Sequence, residues 1–292
     1  MYDPIPFKIE LDYVTFSGWR WGKGNGQTVI ALHGWLDNCA SFARIAPGLA
    51  AECDLDIWAL DLAGHGHSGF RPQGSYYHIW DNVLDLALLM DAQGWESIDL
   101  LGHSMGAAVA TLMAGAMPDR VGRVALLEGI GPVATAAEDA PSQLAQAAGK
   151  YQLLGYKTPS LYASVEDAAE ARMKGVGEIS YEAALPLAKR GVKASDDGYL
   201  WRYDARLRIP SPVRLTEDQI NHFCAAIDAP VCLITAEHGF LIDRENTRTR
   251  SAHVKDLICH CLPGNHHFHL EPDSCTEVLH ELVSFWNGLE TE

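Results

Sequence analysis

The stretch that decides the fold is Gly102-His103-Ser104-Met105-Gly106, which has the pattern G-x-S-x-G. An apolar, strand-like run at 98–101 precedes it, and a helical pattern rich in Ala and Gly follows it. A sharp turn between a strand and a helix strains the backbone of its central residue and lifts that side chain above the sheet. Glycine fits on both flanks because a side chain there would collide with neighbouring backbone. The sequence therefore predicts Ser104 as a nucleophile.

Strand-like runs and helical patterns alternate from the N-terminus to about residue 130, which predicts an α/β protein with a mostly parallel sheet. Runs at 8–10 and 13–21 predict an antiparallel lead-in to that sheet. After Pro132 the pattern becomes helical, with Gly and Pro between segments and no strong strand until Val231. We therefore expect a helical insertion, followed by a return to the sheet.

The composition excludes several classes of protein. The 292 residues are 48% hydrophobic and 21% charged, which is typical of a globular enzyme rather than a disordered chain. Lys and Arg total 22 against 38 Asp and Glu, a net charge of -16 that disfavours binding to nucleic acids or anionic membranes. We find neither a signal-peptide pattern at the N-terminus nor a long apolar run. We therefore expect a cytoplasmic protein outside the membrane.

The seven cysteines also favour a cytoplasmic location. They are odd in number, form no CxxC pair and mostly lie in apolar segments, which predicts reduced, buried thiols. Cys259-His260-Cys261 could suggest zinc, but residues 257–262 alternate like a strand and no second ligand pair lies nearby. We expect a structural strand there, and neither a metal nor another cofactor.

A serine hydroxyl needs a base to remove its proton during attack. Gly264-Asn265-His266-His267-Phe268-His269 follows the last predicted strand, at the carboxyl edge of the sheet where Ser104 is also expected. We select His266 as the base because it lies nearest the strand end, and expect His267 and His269 to pack or line the pocket. A metal-binding histidine patch is the alternative, but no acidic or Cys ligand is evident beside it.

Four motifs follow one another along the chain: Leu32-His33-Gly34-Trp35, the segment 61–68 (Asp-Leu-Ala-Gly-His-Gly-His-Ser), the G-x-S-x-G turn and Gly264-Asn265-His266. Together they resemble the α/β-hydrolase superfamily, over residues 28–131 and 213–289. Within it the chain is most similar to the serine hydrolase-like and esterase branch related to epoxide hydrolases.

The resemblance implies a mostly parallel sheet of eight strands flanked by helices, with a helical cap inserted after the sixth strand. On this division, residues 1–132 and 213–292 form the core and residues 133–212 form the cap. Epoxide hydrolases and haloalkane dehalogenases carry an aspartate at the turn, whereas position 104 here is serine. The serine favours ester cleavage through an acyl-enzyme.

The same resemblance implies an oxyanion hole made by the backbone amides of Trp35 and Met105. We place His33, Gly34, Trp35 and His103 around the substrate pocket, and expect His33 to hydrogen-bond loop backbone. The segment 61–68 resembles a turn that shapes the site, and we assign it no chemistry.

The acid that orients the histidine departs from the common family pattern. The family usually has an aspartate after the seventh strand, at the position that Gly239 occupies here. Some members take the acid from the end of the sixth strand, where this chain has Glu128. A glutamate directly after an apolar strand is costly unless it has a partner. We therefore rank Glu128 first, Asp243 second and Glu237 third.

These observations predict a cofactor-free hydrolase of small carboxylic esters, monomeric or homodimeric. An apolar or aromatic acyl group is suggested by the aromatic residues of the insertion, although most of these should form its core: Tyr151, Tyr156, Tyr162, Tyr181, Tyr199, Trp201 and Tyr203. Hydrolysis of thioesters or C–C bonds, or perhydrolysis, would use the same triad. A non-catalytic binding homologue is the alternative from another class, favoured by the missing aspartate at 239.

Overall fold

A computed structural model describes residues 2–156, 159–239 and 244–288. Within these ranges the strands are β1 (Ile5–Glu10), β2 (Thr15–Trp21), β3 (Gln27–Leu32), β4 (Leu55–Asp61), β5 (Ile98–His103), β6 (Val121–Leu127), β7 (Val192–Ser195), β8 (Gly198–Trp201), β9 (Val231–His238) and β10 (Leu257–Asn265). The helices are α1 (Ala46–Glu52), α2 (Asp81–Gln93), α3 (Met105–Ala116), α4 (Ala140–Gln152), α5 (Val165–Met173), α6 (Tyr181–Gly191), α7 (Glu217–Ala225), α8 (Arg244–Ser251) and α9 (Cys275–Asn287).

Eight strands form the main sheet, in the order β1-β2-β4-β3-β5-β6-β9-β10. β2 pairs antiparallel with both β1 and β4, and every other pairing in this sheet is parallel. The predicted sheet and its antiparallel lead-in are therefore confirmed. Because β3, β5, β6, β9 and β10 run in parallel, their carboxyl ends meet at one edge of the sheet.

Alternating side chains of the central strands bury two apolar cores, one on each face of the sheet. Ile30 and Leu32 face the core beneath α2, α3 and α7, whereas Val29 and Ala31 face the core beneath α1 and α9. α3 lies close to the sheet because its residues are small: a Cβ atom on Gly106 would overlap the carbonyl oxygen of Leu32. This close approach fixes the start of α3 against the end of β3.

Two helix ends are fixed by their local sequence. α2 ends at Gly94, which has φ +68°, the left-handed conformation that glycine adopts without steric cost. α7 begins at a capping box, in which the Thr216 hydroxyl accepts from the Gln219 amide and the Gln219 side chain accepts from the Thr216 amide.

Residues 133–212 lie between β6 and α7, and we call them the inserted segment. We expected this segment to be helical, but it also contains strands. Besides α4, α5 and α6 it contains the antiparallel hairpin β7–β8, closed by Asp196 and Asp197. Each strand has only four residues, too few for a visible alternation in the sequence. The two-residue turn ends at Gly198, whose positive φ fits a tight hairpin. The division at residues 132 and 213 stays a prediction.

The cysteine prediction needs a correction. All seven thiols are free, but Cys259 and Cys261 are exposed rather than buried. They lie on β10, and the position of this strand at the sheet edge leaves the face bearing both thiols uncovered. The predicted strand at residues 257–262 is confirmed.

None of the helices within the described ranges combines the length and the apolar character needed to cross a bilayer.

Candidate active site

Ser104 lies at the sharp turn between β5 and α3, with φ +54° and ψ -113°. Positive φ is unfavourable for a residue with a Cβ atom, and such strain concentrates at functional sites. The turn is held by the Ser104 amide, which donates to the Leu127 carbonyl at 2.9 Å. A Cβ atom on Gly102 would lie 2.5 Å from the Gly106 carbonyl oxygen, so the predicted requirement for glycine is confirmed.

His266 and Glu128 form a buried pair beside this turn. His266 Nδ1 lies 3.1 Å from Glu128 Oε2, and each residue is only 2% exposed. The other carboxylate oxygen, Oε1, accepts from the Ala236 amide at 2.7 Å. When Nδ1 donates to the carboxylate, Nε2 is the ring nitrogen able to take up a proton. This is the arrangement that a general base requires.

Gly239 accounts for the departure from the common family pattern. A Cβ atom at position 239 would overlap the Glu128 carboxylate, so no side chain fits there while Glu128 points at His266. Glu128 itself has φ +52°, and its amide donates to the Ile234 carbonyl at 2.9 Å. Of the two alternative acids, Glu237 is exposed at the end of β9, and Asp243 lies outside the described residues.

The loop after β3 passes directly beside Ser104. A Cβ atom on Gly34 would lie 3.4 Å from Ser104 Cβ and 3.1 Å from His103 Nδ1. Trp35 follows, and its indole donates to the Leu207 carbonyl of the inserted segment at 2.9 Å. Met105 is the first residue of α3, where backbone amides lack partners within the helix. Both predicted oxyanion amides therefore belong to segments that adjoin Ser104.

His33 and His103 pack beneath this loop, and both are fully buried. Their side chains therefore expose no surface to solvent. His33 Nδ1 lies 2.7 Å from the Gly34 carbonyl oxygen, and Nε2 accepts from the Leu62 amide at 3.0 Å, which is the predicted bonding to loop backbone. His103 Nε2 lies 2.8 Å from the His266 carbonyl oxygen. Burial lowers the pKa of both imidazoles, so they remain neutral.

The other two histidines of the predicted cluster lie around His103. The ring of His103 has its centroid 5.0 Å from that of His267 and 4.1 Å from that of His269. His269 Nε2 lies 2.9 Å from Ser41 Oγ. Burial lowers the pKa of His269 well below its usual value. His267 and His269 therefore pack in the interior, which is one of the two roles that the sequence predicted for them.

Asp37, His103 and His267 could offer three ligand atoms to a metal, all within 4.8 Å of one another. The sequence showed no acidic ligand beside the histidines, whereas the fold places Asp37 there. However, Arg172 Nη2 lies 2.9 Å from Asp37 Oδ1 and 3.0 Å from His267 Nε2. A guanidinium already supplies positive charge at this point, and it would repel a divalent cation.

Comparisons with known proteins agree with this fold. A family model described as the alpha/beta hydrolase fold matches residues 27–157. A serine hydrolase-like protein of Dictyostelium discoideum is 31% identical over 267 residues, covering 87% of this chain and 74% of that protein. The chain belongs to the α/β-hydrolase family.

Two solved structures resemble this α/β hydrolase over nearly its whole length. The crystal structure of a hypothetical protein of Pseudomonas aeruginosa PAO1 has a TM-score of 0.91 at 43% identity, covering 97% of this chain and 99% of that one. A thioesterase domain from the curacin biosynthetic pathway has a TM-score of 0.82 at 22% identity, covering 96% and 99%. The second likeness shows the fold alone. The serine hydrolase-like relatives support a hydrolase.

Sequence reasoning missed two buried residues that contact His267 beside the candidate site, Asp37 and Arg172. Asp37 stands in a loop, where an aspartate is usually solvated, so its burial left no signal. Arg172 comes from α5, 135 positions further along the chain. No spacing rule connects such distant positions, and only the packing of the inserted segment brings them together.

Proposed function

We propose that this α/β hydrolase cleaves a small carboxylic ester, with Ser104 as nucleophile, His266 as general base and Glu128 as the acid that orients His266. The observation that carries the proposal is the buried pair of His266 Nδ1 and Glu128 Oε2, 3.1 Å apart. Its support is the strained backbone of Ser104, since a serine elbow beside a histidine and a carboxylate is the constellation that acyl transfer needs.

In the proposed reaction, Ser104 Oγ attacks the ester carbonyl carbon while His266 Nε2 takes the hydroxyl proton. The carbonyl oxygen gains negative charge and accepts hydrogen bonds from the Trp35 and Met105 amides. The imidazolium then gives its proton to the departing alkoxide, which leaves as an alcohol. A water molecule repeats the attack on the acyl-enzyme, releasing the acid and restoring Ser104.

Glu128 accepts the Nδ1–H hydrogen bond of His266 throughout the proposed cycle. It holds the Nδ1–H tautomer of His266 and stabilises the imidazolium that forms during attack. The Ala236 amide, 2.7 Å from Oε1, keeps the carboxylate in place. The absence of a side chain at Gly239 supports Glu128 as the acid, because this is the space that its carboxylate needs.

We further propose that residues 133–212 act as a cap over the site. Support comes from the Trp35 indole, which bonds the Leu207 carbonyl. Four of the seven aromatic residues noted in the sequence pack against a buried cluster formed mainly by α5 and α6, and so do not define the acyl pocket: Tyr162, Tyr181, Tyr199 and Trp201. Trp35 is half-buried and directly follows Gly34, which lies beside Ser104, and it favours an apolar part in the substrate.

The free cysteines fit a reducing compartment, and we therefore propose a cytoplasmic enzyme. We also propose that it acts without a cofactor. We propose a monomer or a homodimer.

Hydrolysis of p-nitrophenyl esters of short and long acyl chains tests the proposed reaction. We expect turnover by the wild type and none above background by Ser104→Ala. A matched thioester and a ring-cleavage diketone separate the other reactions that the same triad could catalyse. Turnover of a diketone without turnover of any ester would contradict ester chemistry, and equal turnover in Ser104→Ala would contradict the proposed nucleophile.

A further inference from the structure

Three segments of the chain meet at the Asp37 carboxylate. Asp37 itself ends the loop that carries Trp35. His267 follows the proposed base directly, and its Nε2 lies 3.2 Å from Asp37 Oδ2. Arg172 comes from α5 of the inserted segment, and its Nη2 and Nε donate to Asp37 Oδ1 at 2.9 and 3.2 Å. The loop of the proposed oxyanion amide, the loop of the proposed base and the inserted segment thus share one group.

The network is buried and charged. Asp37 is 4% exposed and His267 2%. Burial alone would raise the pKa of Asp37, but the charge of Arg172 and the hydrogen bond from His267 outweigh it, and the pKa lies well below its usual value. His267 is neutral, because burial lowers its pKa. The charge of the Asp37 carboxylate is therefore balanced by Arg172, which belongs to another part of the chain.

Both loops are constrained by this contact. The Asp37 amide donates to the Gly34 carbonyl at 3.2 Å, closing a tight turn in which Leu36 has φ +63°. Trp35 lies within this strained turn, so the turn sets the position of the Trp35 amide. The Asp37 carboxylate fixes the end of the turn. On the other loop, the His267 amide donates to Asn265 Oδ1 at 2.8 Å, so both sides of His266 are held.

We propose that Arg172 is a positioning residue: seating of the inserted segment brings its guanidinium to Asp37, and this aligns the Trp35 amide with the His266 ring. The inference rests on the proposed function. It assigns the inserted segment a part in building the site, beyond covering it. Without Arg172 the Asp37 carboxylate loses its counter-charge, and the two loops lose their common anchor.

Arg190 offers a matched comparison. It too belongs to the inserted segment, on α6, and its Nη2 binds the buried carboxylate of Asp61 at 2.7 Å. Within the described residues, the side-chain hydrogen bonds of Arg190 go to Asp61 and not to Trp35 or to residues 265–267. Replacing either arginine breaks one buried ion pair between the inserted segment and the sheet domain. Only the change at Arg172 removes the charge that holds Asp37 at the contact between the two proposed catalytic loops.

The experiment compares Arg172→Met with Arg190→Met. We measure the rate at which a fluorophosphonate labels the enzyme, and kcat and KM for p-nitrophenyl acetate, at a temperature where circular dichroism shows both variants folded. For Arg172→Met we expect labelling and kcat to fall about tenfold or more, with KM changed less than about threefold. For Arg190→Met we expect both rates to stay within about threefold of the wild type.

Arg172→Gln keeps a hydrogen-bond donor and serves as the second variant should Arg172→Met fail to fold. Labelling and kcat of the folded Arg172 variant at wild-type values would overturn the inference, as would an equal loss in both arginine variants. A loss confined to KM would also overturn it. If the wild type itself is not labelled, the proposed function fails first and this inference fails with it.

Discussion

Two residues that face each other, Glu128 and Gly239, explain how the site is completed. The Glu128 carboxylate fills the space that a side chain at 239 would need, and it binds both His266 and the Ala236 amide. A carboxylate at position 128 that binds His266 therefore requires glycine at position 239.

The first prediction concerns Glu128→Gln. The amide keeps the size of the side chain but no longer fixes the Nδ1–H tautomer of His266 or stabilises the imidazolium. We expect kcat for ester hydrolysis to fall by about 10³–10⁴-fold, with an unchanged far-UV spectrum. Stopped-flow and steady-state assays measure the change. Full activity in Glu128→Gln would transfer the role of the acid to Asp243.

The second prediction concerns Gly239→Ala. The added methyl group overlaps the Glu128 carboxylate, so either the backbone of the loop or the carboxylate must move. We expect a loss of about 1–3 kcal/mol in the free energy of unfolding together with reduced activity. Urea unfolding measures the stability. Gly149→Ala is the control, since its Cβ would meet nothing within 4 Å and its φ is not positive, and it should leave activity unchanged.

At the scale of elements, the strand-to-helix turn depends on the close approach of α3 to the sheet, whereas α7 depends on its cap. The third prediction is that Thr216→Ala removes the capping box of α7 and lowers the free energy of unfolding by about 1 kcal/mol. α7 carries no residue of the proposed site, so kcat should not change. A loss of activity larger than the loss of folded protein would contradict this separation of fold and site.

The elements differ in how far the sequence could predict them. The runs at 98–101 and 257–262 predicted β5 and β10 because a strand leaves a local signal in the sequence. The hairpin β7–β8 escaped because its strands have only four residues each. Ser104, His266 and Glu128 could be selected from the sequence because each follows a strand of a parallel sheet. Asp37 and Arg172 were not, because their meeting depends on packing between distant segments.

At the scale of the whole molecule, an unusual number of neutral histidines lie in the interior. Burial lowers the pKa of each, as does the charge of neighbouring histidines for several of them: His33, His65, His103, His267 and His269. For His65 the pKa falls to about 3, first through burial and then through His33. These groups are protonated more readily in the unfolded chain than in the folded protein.

The fourth prediction follows from the sign of these shifts. A lowered folded pKa leaves stability intact above the unfolded pKa of 6.5 and removes it as the pH falls below that value. Each such histidine contributes a slope of up to about 1.4 kcal/mol per pH unit. We therefore expect Tm to fall steeply between pH 6.5 and pH 5, and His65→Asn to flatten that slope. A Tm independent of pH across this range would contradict neutral buried histidines.

The central claim is that Ser104 is a nucleophile activated by His266 and Glu128, and covalent labelling tests it most directly. Wild-type protein, Ser104→Ala and His266→Ala are treated with a fluorophosphonate, and intact mass and peptide mapping locate the adduct. We predict one adduct on the wild type, mapped to Ser104, none on Ser104→Ala, and strongly slowed labelling of His266→Ala. An unmodified wild type, or an adduct that persists in Ser104→Ala, would contradict the account.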